Sequence, residues 1–337
     1  MKPILSGKSI LFAGLQGCLL SLALSAGGVQ SSGAQEISGR ETAGDVHLLA
    51  VAVCPPYRSS IPVEVCRNSA RAITENLDGR MGIESQNIET LVDEDSTAGN
   101  FLATLEHYAE RLQPNDRLIV YLLLHGDPFH LWANYYQPQG IVAELNKSFL
   151  DPQEDILVFW TEQEPTIPAL AIAQQQWLTA SKVSAALGAI DADVALMLDS
   201  CSSSLFFQTL TRAIMAGGHI DYILTTAGSQ QTAGLDQANT ITLFAREFGN
   251  SIDLPYVTNF GQAVDRARMT TTMHAMASCA DTVLDADSFR QLYPQVPVPS
   301  VRTHKGEVAV PLWSCAQVPS VVDLSGKLSL MELYPDN

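Results

Sequence analysis

Apolar residues fall along this chain in short unbroken runs, separated by stretches where they recur every third or fourth position. The runs are residues 45–53 (DVHLLAVAV), 117–124 (RLIVYLLL), 193–198 (DVALML) and 220–227 (IDYILTTA), and 87–93 (NIETLVD) reads as a further short strand. Runs of this length predict strands buried on both faces. After the first, Val65, Ala70, Ile73 and Leu77 share one helical face, and Gly79 is the expected stop. Ser96 or Thr97 is the expected cap of a helix carrying Phe101, Leu105, Tyr108 and Leu112, which Pro114-Asn115-Asp116 ends. Thr179-Ala180-Ser181 opens another through Val183, Ala186, Leu187 and Ile190, and helical spacing returns near 205–215, 241–248 and 259–276. Residues 127–176, with Trp132, Tyr135, Tyr136, Trp160 and several prolines, keep neither period and read as an insertion over the sheet edge. Its one strand-like piece is 156–160. Residues 294–300 read as loop, 307–312 as a final strand and 319–337 as a tail. Apolar strands alternating with amphipathic helices predict an α/β fold, its mostly parallel sheet covered on both faces. Ligands in such sheets bind beyond the carboxyl ends of the strands.

Composition narrows the class. With 337 residues, 46% of them hydrophobic and 16% charged, the chain is long and apolar enough for a self-sufficient core. No internal repeat divides it, so one domain is expected over 35–318. The formal net charge is −17 and no Lys/Arg block occurs, which argues against nucleic acid as a partner.

The first 34 residues read as an export signal. Lys2 and Lys8 precede an apolar stretch over 10–26, no Asp or Glu occurs before Glu36, and Ser32-Gly33-Ala34 is a small-residue cleavage site. The apolar stretch is shorter than the roughly 20 residues a spanning helix needs, which disfavours an anchor. An exported protein, periplasmic or secreted after cleavage near Ala34, without membrane association afterwards, is the expectation. In an oxidising compartment Cys54, Cys66, Cys279 and Cys315 are expected to form two disulfides. Three pairings are open; local closure favours Cys54–Cys66 with Cys279–Cys315. Cys201 is then the thiol left over.

Two strand ends carry candidate chemistry: His125-Gly126 after 117–124, and Asp199-Ser200-Cys201-Ser202-Ser203 after 193–198. A thiol between a strand and a following helix feels the helix dipole, which favours thiolate. An imidazole can manage the leaving-group proton, and a glycine lets its N–H approach substrate. Other chemistries lack their signatures: there is no GxSxG, P-loop, dinucleotide glycine fingerprint or HExxH. The remaining histidines have no ligand-like spacing, and Asp281, Asp285 and Asp287 read as a solvated acidic face, so neither metal nor cofactor is expected.

The motifs YLLLHG (121–126) and LDSCSSS (198–204), in this strand order and with YILTTAGSQQTA (222–233) and YPQVPVP (293–299), resemble the caspase/legumain/metacaspase clan of cysteine peptidases. The resemblance spans about 45–312. It implies a three-layer α-β-α caspase-like fold around a roughly six-stranded sheet, and a cysteine endopeptidase acting on peptide or protein substrates. Cys201 would be the nucleophile, His125 the general acid/base, and the N–H groups of Gly126 and Cys201 the oxyanion hole. Asp199 falls where the clan places an S1-pocket residue, which implies Arg/Lys or Asn at P1; its alternative role is to cap a turn. Ser229 and Arg58 fall near further substrate-binding positions. Ser204 and Leu124 stand where many members carry glycine, and the insertion after Gly126 is long. A non-catalytic binding module on the same fold is therefore the alternative.

Overall fold

The computed structural model describes residues 44–54, 62–127, 156–159, 177–200, 220–227, 233–236, 238–281, 300–303, 306–309 and 319–323, with isolated residues 203, 206, 210, 211, 317, 331 and 333. Contacts divide the chain into residues 1–41 and 42–337, and every described residue belongs to the second unit.

The main sheet has six strands in the order β11-β8-β7-β3-β1-β2. They are β1 (Val46–Ala52), β2 (Ile88–Val92), β3 (Arg117–Leu123), β7 (Asp193–Asp199), β8 (Tyr222–Thr225) and β11 (Ser320–Asp323). All pairings are parallel except β11 on β8. Side chains alternate between two cores, as strand geometry requires. Leu48, Ala50, Ile119, Tyr121, Ala195 and Met197 face one; Leu49, Val51, Leu118, Val120, Leu196 and Leu198 face the other. The first core is covered by α1 (Val63–Met81) and two helices later in the chain, Leu243–Ile252 and Phe260–Asp281. The second is covered by α2 (Ala98–Arg111) and α3 (Ala180–Leu187). Numbered in order, the two later helices are α4 and α5. The molecule is thus a three-layer α/β fold with a six-stranded, mostly parallel sheet.

Threonine caps start three of these helices. The amides of Asn100, Lys182 and Ala245 donate to Thr97, Thr179 and Thr242 Oγ1 at 3.1, 3.3 and 3.3 Å. Such caps each contribute about 1 kcal/mol. Helix α1 runs through Gly79, where it was expected to stop, because buried Met81 continues the apolar stripe of Ile73 and Leu77. The stop is Gly82, whose φ of 63° is the left-handed conformation that glycine adopts most readily.

The insertion is not wholly irregular. β4 (His125–Asp127), β5 (Ile156–Val158) and β6 (Trp177–Thr179) form a separate antiparallel sheet, and β6 hands the chain directly to α3. Residues 307–312 do not supply the last strand of the main sheet. Among the described residues, β9 (Ser300–Thr303) and β10 (Gly306–Ala309) pair only with each other, as an antiparallel two-stranded sheet, and 310–312 lie outside the described residues. The closing strand comes from the stretch read as a tail: β11 pairs with β8, and Met331 and Leu333 are buried in the first core. Main-chain bonds from Phe260 N to Met331 O and from Leu333 N to Thr258 O tie this stretch to the start of α5. Four half-buried residues have too little periodicity to announce a strand.

His47 on β1 is a buried base whose neutral form the surroundings favour. Burial, and then the neighbouring Arg111, hold its pKa below 6.5 against the opposing pull of Asp116 and Asp45. Arg111 Nη2 lies 3.2 Å from His47 Nδ1, and its guanidinium sits 5.4 Å from the Tyr108 ring centroid. A base with a depressed folded-state pKa stabilises fully above its unfolded pKa, and that contribution is lost as pH falls below it. The urea midpoint is therefore expected to drop between pH 7.5 and 5.5. In His47→Gln, which keeps an acceptor for Arg111, the drop should be smaller.

Candidate functional site

The strand order opposes two chain directions between β1 and β3: from β1 the chain first goes to the β2 edge, then returns to β3 on the other side. At such a switch point the carboxyl ends of the strands leave a crevice. A pocket lies there, walled by Val53 and Cys54 beyond β1, Leu123 and Leu124 at the end of β3, and Asp199 and Ser200 at the end of β7. The first turns of α1 and the 233–242 loop close its sides.

Strands β3 and β7 are direct neighbours, and their last rung pairs Leu123 with Asp199. In sequence, His125 follows Leu123 by two residues and Cys201 follows Asp199 by two. Sequence alone placed both after strands but did not make the strands adjacent. His125 and Gly126 do not end in a turn: after a bend at Leu124 they enter β4, opposite Val158 and Leu157. Cys201, Ser229 and Arg58 lie outside the described residues.

Asp199 is wholly buried, and three hydroxyls donate to its carboxylate. Thr226 Oγ1 reaches Oδ1 at 2.7 Å; Tyr121 Oη and Thr242 Oγ1 reach Oδ2 at 2.8 and 2.7 Å. Burial raises the Asp199 pKa, and the three hydroxyls oppose the shift. Tyr121 is pushed well up, first by burial and then by the Asp199 charge. Thr242 also caps α4, and its own N–H donates to Ser69 Oγ on α1 at 3.0 Å. Asp199 thus joins β3, β7, the end of β8 and the start of α4 at one point in the pocket wall. The position of Asp199 was legible in the sequence, whereas its three donors were not. The one available signal was Tyr121 inside an apolar strand, since a buried tyrosine hydroxyl needs a partner.

Cys54 and Cys66 form a disulfide with a Cα–Cα distance of 5.8 Å, fastening the exit of β1 to the first turn of α1 at the pocket wall. Cys279 is in the last turn of α5, with its side chain outside the described set, and Cys315 is also outside it. Among the described residues, no group of three His, Cys, Asp or Glu is placed to hold a metal ion, and no helix is long and apolar enough to cross a membrane.

No family model matches the chain, and no curated protein sequence matches it. Among solved structures, a Geobacter sulfurreducens structural-genomics protein is similar at 11% identity over 67% of this chain and 89% of its own, with a TM-score of 0.44. Caspase-1 from Spodoptera frugiperda is similar at 7% identity over 84% of this chain and 87% of its own, also with a TM-score of 0.44. At these values the likeness assigns neither a family nor an activity.

Proposed function

We propose that the chain is a caspase-like cysteine endopeptidase in which Cys201 attacks the scissile carbonyl and His125 manages the leaving-group proton. One observation carries the reading: Leu123 and Asp199, each two residues before one of the pair in sequence, are partners on adjacent parallel strands. At that rung the two strands are about 4.8 Å apart. In the reaction the thiolate adds to the carbonyl carbon, the imidazolium protonates the departing amine, and water then hydrolyses the thioester. The N–H groups of Gly126 and Cys201 are assigned to the developing oxyanion. Asp199, in the wall of the pocket, is the residue on which a P1 preference for Arg/Lys or Asn rests. Ser229 and Arg58 are assigned to substrate binding from the motif alone. Export after removal of residues 1–34 belongs to the same proposal. Its support is the Cys54–Cys66 disulfide, a bond that persists in oxidising compartments.

Fluorogenic peptides with Arg, Lys, Asn or Asp at P1, assayed with mild reductant, test the activity and the preference together. The expected result is cleavage after Arg/Lys or Asn and little after Asp. Cleavage only after Asp would remove the role given to Asp199. A folded protein that cleaves nothing would favour the binding-module alternative.

A further inference from the structure

Residues on both sides of Cys201 in the sequence are fastened to two residues just past β8. On the near side, Thr226 N–H donates to Leu198 O at 3.0 Å, and Thr226 Oγ1 donates to Asp199 Oδ1 at 2.7 Å. On the far side, the buried Ser203 Oγ accepts from Ala227 N–H at 2.9 Å and donates to Ala227 O at 3.1 Å. Strand β8 ends at Thr225, so Thr226 and Ala227 lie beyond it. A single hydroxyl replaces both ladder bonds that Ala227 would need, and Ala227 is itself wholly buried. Using its donor and an acceptor on one residue leaves that hydroxyl no rotational freedom. Buried main-chain groups without such partners are strongly disfavoured. A turn with no positional demand could expose these groups to water instead.

We propose that Ser203 and Thr226 are positioning residues that hold Cys201 in register with His125 by clamping the main chain on both sides of it. The inference rests on Cys201 being the nucleophile. Misplacing a reacting group by an ångström costs on the order of a hundredfold in rate, so a two-sided clamp suits a nucleophile, whose alignment must be preset. Neither residue is assigned a contact with substrate.

The test uses the mature chain with Ser203→Ala, Ser203→Thr and Thr226→Val, all below their melting temperatures. Two readouts are taken: kcat and KM on the best peptide, and the pH profile of Cys201 alkylation by iodoacetamide, followed by peptide mass spectrometry. Ser203→Ala is expected to lower kcat on the order of ten- to a hundredfold with KM within about twofold, and to displace the alkylation profile. Ser203→Thr, which keeps the hydroxyl, should recover most of both; Thr226→Val should shift them the same way. If Ser203→Ala does not fold, Thr226→Val decides. Folded variants with unchanged kcat and alkylation profile would overturn the clamp. A wild-type chain that hydrolyses nothing would count against the peptidase reading alone, because alkylation still reports the clamp.

Discussion

Cys201→Ala is expected to reduce peptide hydrolysis by more than about 10⁴-fold while leaving the circular dichroism spectrum and melting temperature close to wild type. The size follows from the role: a removed nucleophile leaves only binding and oxyanion stabilisation, and single deletions within a coupled constellation cost nearly as much as deleting the whole set. His125→Ala should lose about 10²–10⁴-fold, the range of a positioned acid/base. The double variant should be little worse than Cys201→Ala alone. Additive losses would mean that the two residues do not act as a unit.

The second large effect is on stability. Asp199→Ala is expected to lower the unfolding free energy by about 3–5 kcal/mol, because the hydroxyls of Tyr121, Thr226 and Thr242 lose their buried acceptor together. Asp199→Asn keeps one acceptor oxygen and should cost less. The pH dependence has a definite sign. A carboxyl with a raised folded-state pKa binds its proton more tightly when folded, so its contribution grows as pH falls towards 3.8 and shrinks as pH rises. Asparagine lacks that proton, so the deficit of Asp199→Asn should widen on acidification. Urea unfolding at several pH values measures it, and a deficit that narrows would contradict the buried, hydroxyl-bonded carboxylate.

Strands β1, β3, β7 and β8 were legible in the sequence because strands buried on both faces read as apolar runs, and the half-buried edge strand β2 was legible as a short strand-like stretch. The rest was hidden for particular reasons. β5 falls within the strand-like piece 156–160, but β4 and β6 are three residues each, below the length at which any period shows. β11 is half-buried throughout, and its place is set by β8, nearly a hundred residues earlier in the chain. Gly79 looked like a helix stop, but it keeps the helical conformation, and the backbone that ends α1 turns left-handed at Gly82. At the site, the two short motifs were visible and their adjacency was not, since which strands pair is a tertiary fact. The donors to Asp199 lie 78, 27 and 43 residues from it, so no local pattern could have gathered them. Ser203 was one serine in a run of three; only its paired bonds to Ala227 set it apart.

The central claim is that Cys201 is a nucleophile activated by the native fold, and one labelling measurement reaches it without knowledge of the physiological substrate. The native chain is treated with peptidyl chloromethyl ketones bearing Lys or Asn at P1, then digested and mapped by mass spectrometry. The account predicts one stoichiometric adduct, on Cys201, that is lost in His125→Ala and after unfolding, with Cys54–Cys66 still joined. A native Cys201 that stays unlabelled, or that is found in a disulfide, would contradict it.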